Sequence, residues 1–218
     1  MIKAVLFDLD GTIINSEEGI TKCVQYALSC FGIEEPDRKK LLCFIGPPLD
    51  PVFREKYGFD ADKAWQAVLK YRERFDKTGI FECELYEGVA DTIRKLKEEG
   101  YIIALASSKP ETACRRILEH FSLTSYFDEI VGSTLDGSIS TKQQVLEELG
   151  RRMEHMQITK DQMCLIGDTE YDVIGADQFG IRCIGVSYGF GKRELLEHAG
   201  AYCVCDNMAE VVDALQQM

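Results

Sequence analysis

Short apolar runs alternate with stretches of helical periodicity over most of the chain, and the alternation is interrupted by one long segment. Residues 4–7 have the length and the β-branched and aromatic content of a buried strand. Residues 15–31 carry Ile20, Val24, Ala27, Leu28 and Phe31 at helical spacing, with Asn15 and Glu18 spaced as a capping pair and Gly32 as a stop. Residues 41–48 predict a short helix closed by the rigid Pro47-Pro48 turn. Two further helices are predicted over 51–57 and 61–77, the second striped by Trp65, Val68, Arg72 and Phe75. From Ser16 to about Leu85 no strand pattern appears.

From Tyr86 the pattern becomes strand and helix in turn. Val89, Ile93 and Leu96 line a helix that stops at Gly100. Residues 101–106 read as an apolar strand, and Pro110 as the first helical residue of a helix over 111–120. A strand over 129–131, a helix from Lys142, a strand over 163–166 and a helix to about Phe179 follow. Strands over 181–186 and 201–204 and a helix over 208–216 close the chain. Repeated strand–helix crossovers call for a parallel sheet covered on both faces. The predicted fold is α/β: a doubly wound, Rossmann-like core of residues 1–15 and 86–218, with an all-helical cap domain, residues 16–85, inserted after the first strand.

Charge changes the picture by exclusion. The net charge of −12 argues against a nucleic-acid partner, whose phosphates need clustered Lys and Arg, but leaves room for a small phosphorylated metabolite in a local cationic pocket. No apolar run approaches a membrane span, and the N-terminus lacks the plan of a secretory signal, so a cytoplasmic protein is expected. The nine cysteines are odd in number and contain no CxxC pair, which favours reduced, mostly buried thiols over a disulfide framework or a zinc site.

Candidate chemistry gathers where the predicted strands end. Asp8 and Asp10 close the first strand and would repel unless a cation joined them. Mg²⁺ suits such oxygen ligands together with a substrate phosphate. Gly11 permits a tight turn or a close backbone approach, and Thr12 adds a hydroxyl. Ser107-Ser108-Lys109 follows the 101–106 strand, where a hydroxyl and backbone N–H groups can hold phosphate oxygens. Lys142 offers an ammonium at a helix start, suited to the charge on a transferring group. Asp168 and Asp172 lie four residues apart across a loop and first helical turn, on one side.

Asp8-Leu9-Asp10-Gly11-Thr12 resembles the DxDGT motif of the haloacid dehalogenase superfamily in its phosphatase form. Ser107 matches the second motif's hydroxyl, Lys142 the third motif's lysine, and Gly167-Asp168 with Asp172 the GDxxxD fourth motif; order and spacing agree across nearly the whole chain. A cap between the first two motifs is the family's type C1. The resemblance is closest to the phosphoglycolate phosphatase-like branch, while Phe44-Ile45-Gly46-Pro47-Pro48-Leu49 also resembles relatives described as 5′-nucleotidase-like. Ser107 stands where Thr is usual, and Asn15-Ser16 where Asp-Ser is frequent.

The resemblance implies a phosphomonoester hydrolase with Asp8 as nucleophile, passing through an aspartyl-phosphate, and Asp10 as proton donor and then acceptor. It implies Mg²⁺ held by Asp8, the Asp10 backbone carbonyl and Asp168, with Asp172 in support. Ser107, Ser108 and Lys142 would bind the phosphoryl group with Gly11 and Thr12 of the first loop. Three rivals stay open: a dehalogenase, against which Asp10 speaks; a phosphomutase resembling β-phosphoglucomutase; and a non-catalytic binding protein. The choice between phosphoglycolate and a nucleoside monophosphate is open in the sequence, as is the oligomeric state.

Overall fold

The computed structural model describes residues 1–218. Contacts divide the chain into two units, residues 1–15 with 85–218, and residues 16–84.

The first unit begins with β1 (Ala4–Phe7), wholly buried. The chain leaves it through β2 (Ile14–Asn15). The helical unit comprises α1 (Glu17–Ser29), a 3-10 segment (Arg38–Phe44), α2 (Leu49–Tyr57), α3 (Ala61–Phe75) and a 3-10 turn (Gly79–Phe81). After β3 (Glu84–Leu85) come α4 (Val89–Glu98), β4 (Ile102–Pro110), α5 (Glu111–His120), β5 (Glu129–Ser133) and α6 (Lys142–Met153). The chain ends through β6 (Met163–Gly167), α7 (Glu170–Phe179), β7 (Arg182–Val186), α8 (Arg193–Ala199), β8 (Cys203–Cys205) and α9 (Met208–Gln216).

Six strands form one parallel sheet in the order β5-β4-β1-β6-β7-β8. The chain winds outward from β1 to β4 and β5, then returns to the other side of β1 for β6, β7 and β8. The order reverses at β1, so the crevice outside its carboxyl end is the place for chemistry. Strand alternation serves both faces. Ala4, Leu6, Ala104, Ala106 and Leu165 pack with Val145, Leu146 and Leu149 of α6, Val173 and Ala176 of α7 and Leu196 of α8. Val5, Phe7, Ile103 and Leu105 point the other way and are equally buried. The fold is therefore a doubly wound α/β core with an inserted all-helical unit.

Several local expectations are corrected. Helix α1 starts at Glu17 with Ser16 in the N-cap position and no side-chain capping bond, because Asn15 is extended in β2; the Asn15–Glu18 capping pair does not form. In α3 the inward face is Ala64, Ala67, Val68, Tyr71 and Phe75, and Trp65 stands 49% exposed with the Arg72 guanidinium 5.5 Å from its ring centroid. Small alanines, not the tryptophan, mark the packed side. Strand β4 continues through Ser107-Ser108-Lys109 to Pro110, its register against β5 shifting between Ala106 and Pro110, so these residues are extended and Pro110 precedes the helix. Helix α8, short and with one buried leucine, carries too little periodicity to be seen in the sequence.

Candidate active site

Asp8 is the first residue past β1, and its backbone N–H donates to Ile166 O at 2.9 Å, tying it to β6. The loop that follows is closed by three N–H groups, those of Thr12, Ile13 and Ile14, converging on Leu9 O. Gly11 sits at φ 83°, and a Cβ there would overlap the Asp168 carboxylate, so both conformation and space demand glycine. Thr12 is fully buried, and its hydroxyl has no partner.

Lys142 opens α6, after a reciprocal capping box between Thr141 and Gln144. Its Nζ donates to Asp8 Oδ1 at 2.7 Å, to Ala106 O at 2.7 Å and to Asp172 Oδ1 at 2.8 Å. An ammonium has three donors, so all are committed. The spacing in sequence gives Lys142 to phosphoryl oxygens; here its partners are the two carboxylates and the strand carbonyl. Burial works against its charge, but Asp172 and Asp8 outweigh it and raise its pKa. Burial also pushes the Asp8 carboxyl up to about 6, against the pull of Lys142, with Asp172 and Asp10 adding to the rise.

Asp168 is the first residue past β6 and is completely buried. Phe190 N–H donates to its Oδ2 at 2.7 Å, whereas Oδ1 has no partner. Burial, then the charges of Asp172 and Asp8, raise its pKa well above the ordinary carboxylate range. Asp172 accepts from the backbone N–H and hydroxyl of Thr169 through Oδ2, at 3.0 and 2.9 Å, completing a capping box for α7 while Oδ1 meets Lys142. One carboxylate thus caps a helix and lines the site.

Carboxylate oxygens of Asp8, Asp168 and Asp172 lie within 4.8 Å of one another. Three buried acids served by one ammonium leave excess negative charge, and the orphaned Asp168 Oδ1 needs a partner that the protein does not provide. An all-oxygen set fits a small hard cation. The carboxylate of Asp10 is engaged elsewhere: Lys109 Nζ donates to its Oδ1 at 2.9 Å and its Oδ2 at 2.6 Å. Ser107 is buried at the end of β4, its Oγ accepting from Lys109 N–H at 3.3 Å, and Ser108 beside it is half-buried.

Two features of the site are not legible in the sequence. Lys109 was visible as the third residue of the Ser-Ser-Lys run, but nothing in that run assigns its ammonium to Asp10. The loop after β7 contributes Phe190 N–H to Asp168, and Tyr188 Oη donates to Thr12 O at 2.9 Å. A Cβ on Gly189 would overlap both Gly11 O and the Asp168 side chain. Its only signal is a pair of glycines just past a strand.

A buried carboxylate at the switch point of a doubly wound sheet, an acidic cluster fit for a cation and a lysine bridging two of its members are the setting of a phosphoryl-handling α/β hydrolase. The chain belongs to the haloacid dehalogenase-like hydrolase family, whose model matches residues 5–186, and it is a phosphatase of that family. It is 39% identical over 212 residues to a 5′-nucleotidase of Pseudomonas aeruginosa, covering 97% of this chain and 95% of that protein. A tyrosine-protein kinase, PtkA of Mycobacterium tuberculosis, is 30% identical over 213 residues, covering 98% of this chain and 71% of its own length. The crystal structure of a predicted phosphatase from Clostridium acetobutylicum superposes with a TM-score of 0.93 at 44% identity, covering all of both chains. No helix is long and apolar enough to cross a membrane.

Proposed function

We propose that the protein is a Mg²⁺-dependent phosphomonoesterase that hydrolyses nucleoside 5′-monophosphates through an aspartyl-phosphate on Asp8. The observation that carries the reaction is the placement of Asp8: a buried carboxylate outside the central strand, one oxygen held by Lys142 at 2.7 Å and its neighbour Asp10 two residues on. Bonding Oδ1 to Lys142 fixes the carboxylate plane and leaves Oδ2 to attack phosphorus. Asp10 hands a proton to the leaving oxygen and takes one back from the water that cleaves the acyl-phosphate. Ser107 and Ser108, with the first loop around Gly11 and Thr12, hold the phosphoryl oxygens. Mg²⁺, held by Asp8, Asp168 and the Asp10 carbonyl with Asp172 in support, would supply the positive charge that lets an anionic nucleophile meet an anionic ester.

A nucleoside monophosphate is preferred over phosphoglycolate because the named relative at 39% identity is a 5′-nucleotidase. We place substrate choice in the helical segment 16–85, acting as a cap, and the chemistry in residues 1–15 and 86–218. Nine free thiols suit a reducing cytoplasm. The test is a phosphate-ester panel with Mg²⁺. Nucleoside 5′-monophosphates should outpace 2-phosphoglycolate and hexose phosphates, releasing phosphate instead of isomerised sugar. Asp8→Asn should lose more than about 10³-fold in kcat, the scale of a missing nucleophile. Full activity of that variant would refute the reading.

A further inference from the structure

The two aspartates of the first loop are each served by a lysine of their own. Lys142 reaches Asp8 from the start of α6, and Lys109 reaches Asp10 from the end of β4, across 99 residues of sequence. Resting on the phosphatase reading above, we propose that Lys109 is the positioning residue for Asp10, holding the carboxylate where it serves as proton donor and acceptor.

The contact is two-point, with Nζ at 2.9 Å from Oδ1 and 2.6 Å from Oδ2. Two N–H bonds from one ammonium set the plane and direction of a carboxylate, where a single bond would leave it free to turn. The pair is shielded, the Lys109 side chain being 7% and the Asp10 side chain 12% exposed. Lysine is rarely this buried without a partner, and the desolvation cost of such a pair argues that it is kept for geometry more than for stability. The lysine backbone is itself fixed: its N–H donates to Ser107 Oγ at 3.3 Å and its carbonyl accepts from Cys114 Sγ at 3.5 Å. The irregular register of β4 between Ala106 and Pro110 lies at this point of the strand.

A carboxylate has about four lone-pair sites, of which Lys109 takes two, leaving two for the proton that moves. As Asp8 forms its bond to phosphorus, the ester P–O bond breaks and its electron pair goes to the leaving oxygen, which receives the proton from Asp10. In the second half water attacks phosphorus, the Asp8–phosphorus bond breaks, and Asp10 takes the water proton. Lys109 exchanges no proton in either half; it keeps Asp10 in reach.

The test is the leaving-group dependence of Lys109→Met. A nucleoside 5′-alkoxide needs the proton, whereas a dinitrophenolate leaves without it. Expected is a loss of at least about 100-fold in kcat on a nucleoside monophosphate, with KM within about threefold, and less than about tenfold on dinitrophenyl phosphate. In an Asp10→Asn background, where no acid remains to be positioned, adding Lys109→Met should change kcat by less than about threefold. That pair of proteins carries no unpaired Asp10 charge and decides the matter even if Lys109→Met alone does not fold. Equal losses on both esters, a raised KM with unchanged kcat, or a further loss in the Asp10→Asn background would each overturn the proposal. Failure of the phosphatase reading would show separately, as a wild-type protein without turnover or an Asp8→Asn protein that keeps it.

Discussion

In the helical unit, Arg74 meets Glu82 at 2.6 Å with about a fifth of each side chain in solvent, at 22% and 21%. In the α/β unit, Lys142 meets Asp172 at 2.8 Å with side-chain exposures of 5% and 2%. The geometry is alike and the setting opposite. The helical unit clusters aromatic rings: Phe44 lies 4.7 Å from Phe53, Phe53 is 6.0 Å from Phe59, and Phe59 is 5.4 Å from the half-buried Phe31, while its charges stay at or near the surface. The α/β unit surrounds its sheet with aliphatic side chains and then buries Asp8, Lys142, Asp168 and Asp172 together at the strand ends. A buried ion cluster is a weak source of stability, since desolvation offsets the attraction. Carboxyls perturbed in this way and gathered in a crevice are the general mark of a functional site. In the helical unit, by contrast, the interior serves packing.

The difference can be broken by mutation. Phe53→Ala removes a fully buried ring from the aromatic cluster and should cost about 3–5 kcal/mol in urea unfolding, while Trp65→Ala, on the exposed side of α3, should stay within about 0.5 kcal/mol. Equal costs would mean that the packed face of α3 is misassigned. In the α/β unit, Gly189→Ala pushes a methyl against Asp168 and Gly11 and should weaken Mg²⁺ affinity by about 10–100-fold, read by titration calorimetry on the folded protein. An unchanged affinity would remove the loop after β7 from the account of the cation site.

The smallest effect concerns pH. Burial lifts Asp8 from 3.8 to about 6, and lifts Asp168 well above 3.8. Between those values the folded, cation-free protein binds more protons than the unfolded chain, so its stability falls as pH rises from about 4 through 6, and further for Asp168. A cation that neutralises the cluster offsets that loss. The rise in melting temperature on adding Mg²⁺ should therefore be larger near about pH 7.5 than near about pH 5. A rise independent of pH would contradict the buried-cluster picture.

The same contrast explains what could be read from sequence. The strand ends of the α/β unit were legible because apolar runs stop abruptly at chemically distinctive letters: Asp8, Lys142 and Asp168 each fall at an element boundary, and Ser107 where the apolar part of β4 ends. Interactions made by backbone or across the sheet were not. Phe190 serves Asp168 through an N–H that every non-proline residue owns, and Lys109 finds Asp10 only because β4 lies beside β1. In the helical unit, the stripe through Trp65 and Arg72 and the true face through Ala64, Ala67 and Tyr71 differ by one position of helical phase. Alanines weigh little in a hydrophobic pattern, although they are what close packing against a neighbouring helix requires.

The central claim is that Asp8 becomes covalently phosphorylated. Rapid acid quenching of the enzyme during turnover of a radiolabelled nucleoside 5′-monophosphate, followed by peptide mapping, tests it directly. The account predicts protein-bound label on the peptide containing Asp8, released by hydroxylamine as an acyl-phosphate should be, and absent from Asp8→Asn. Labelled phosphate formed in solution, with none on the protein during the first turnover under conditions that trap a known acyl-phosphate, would contradict it.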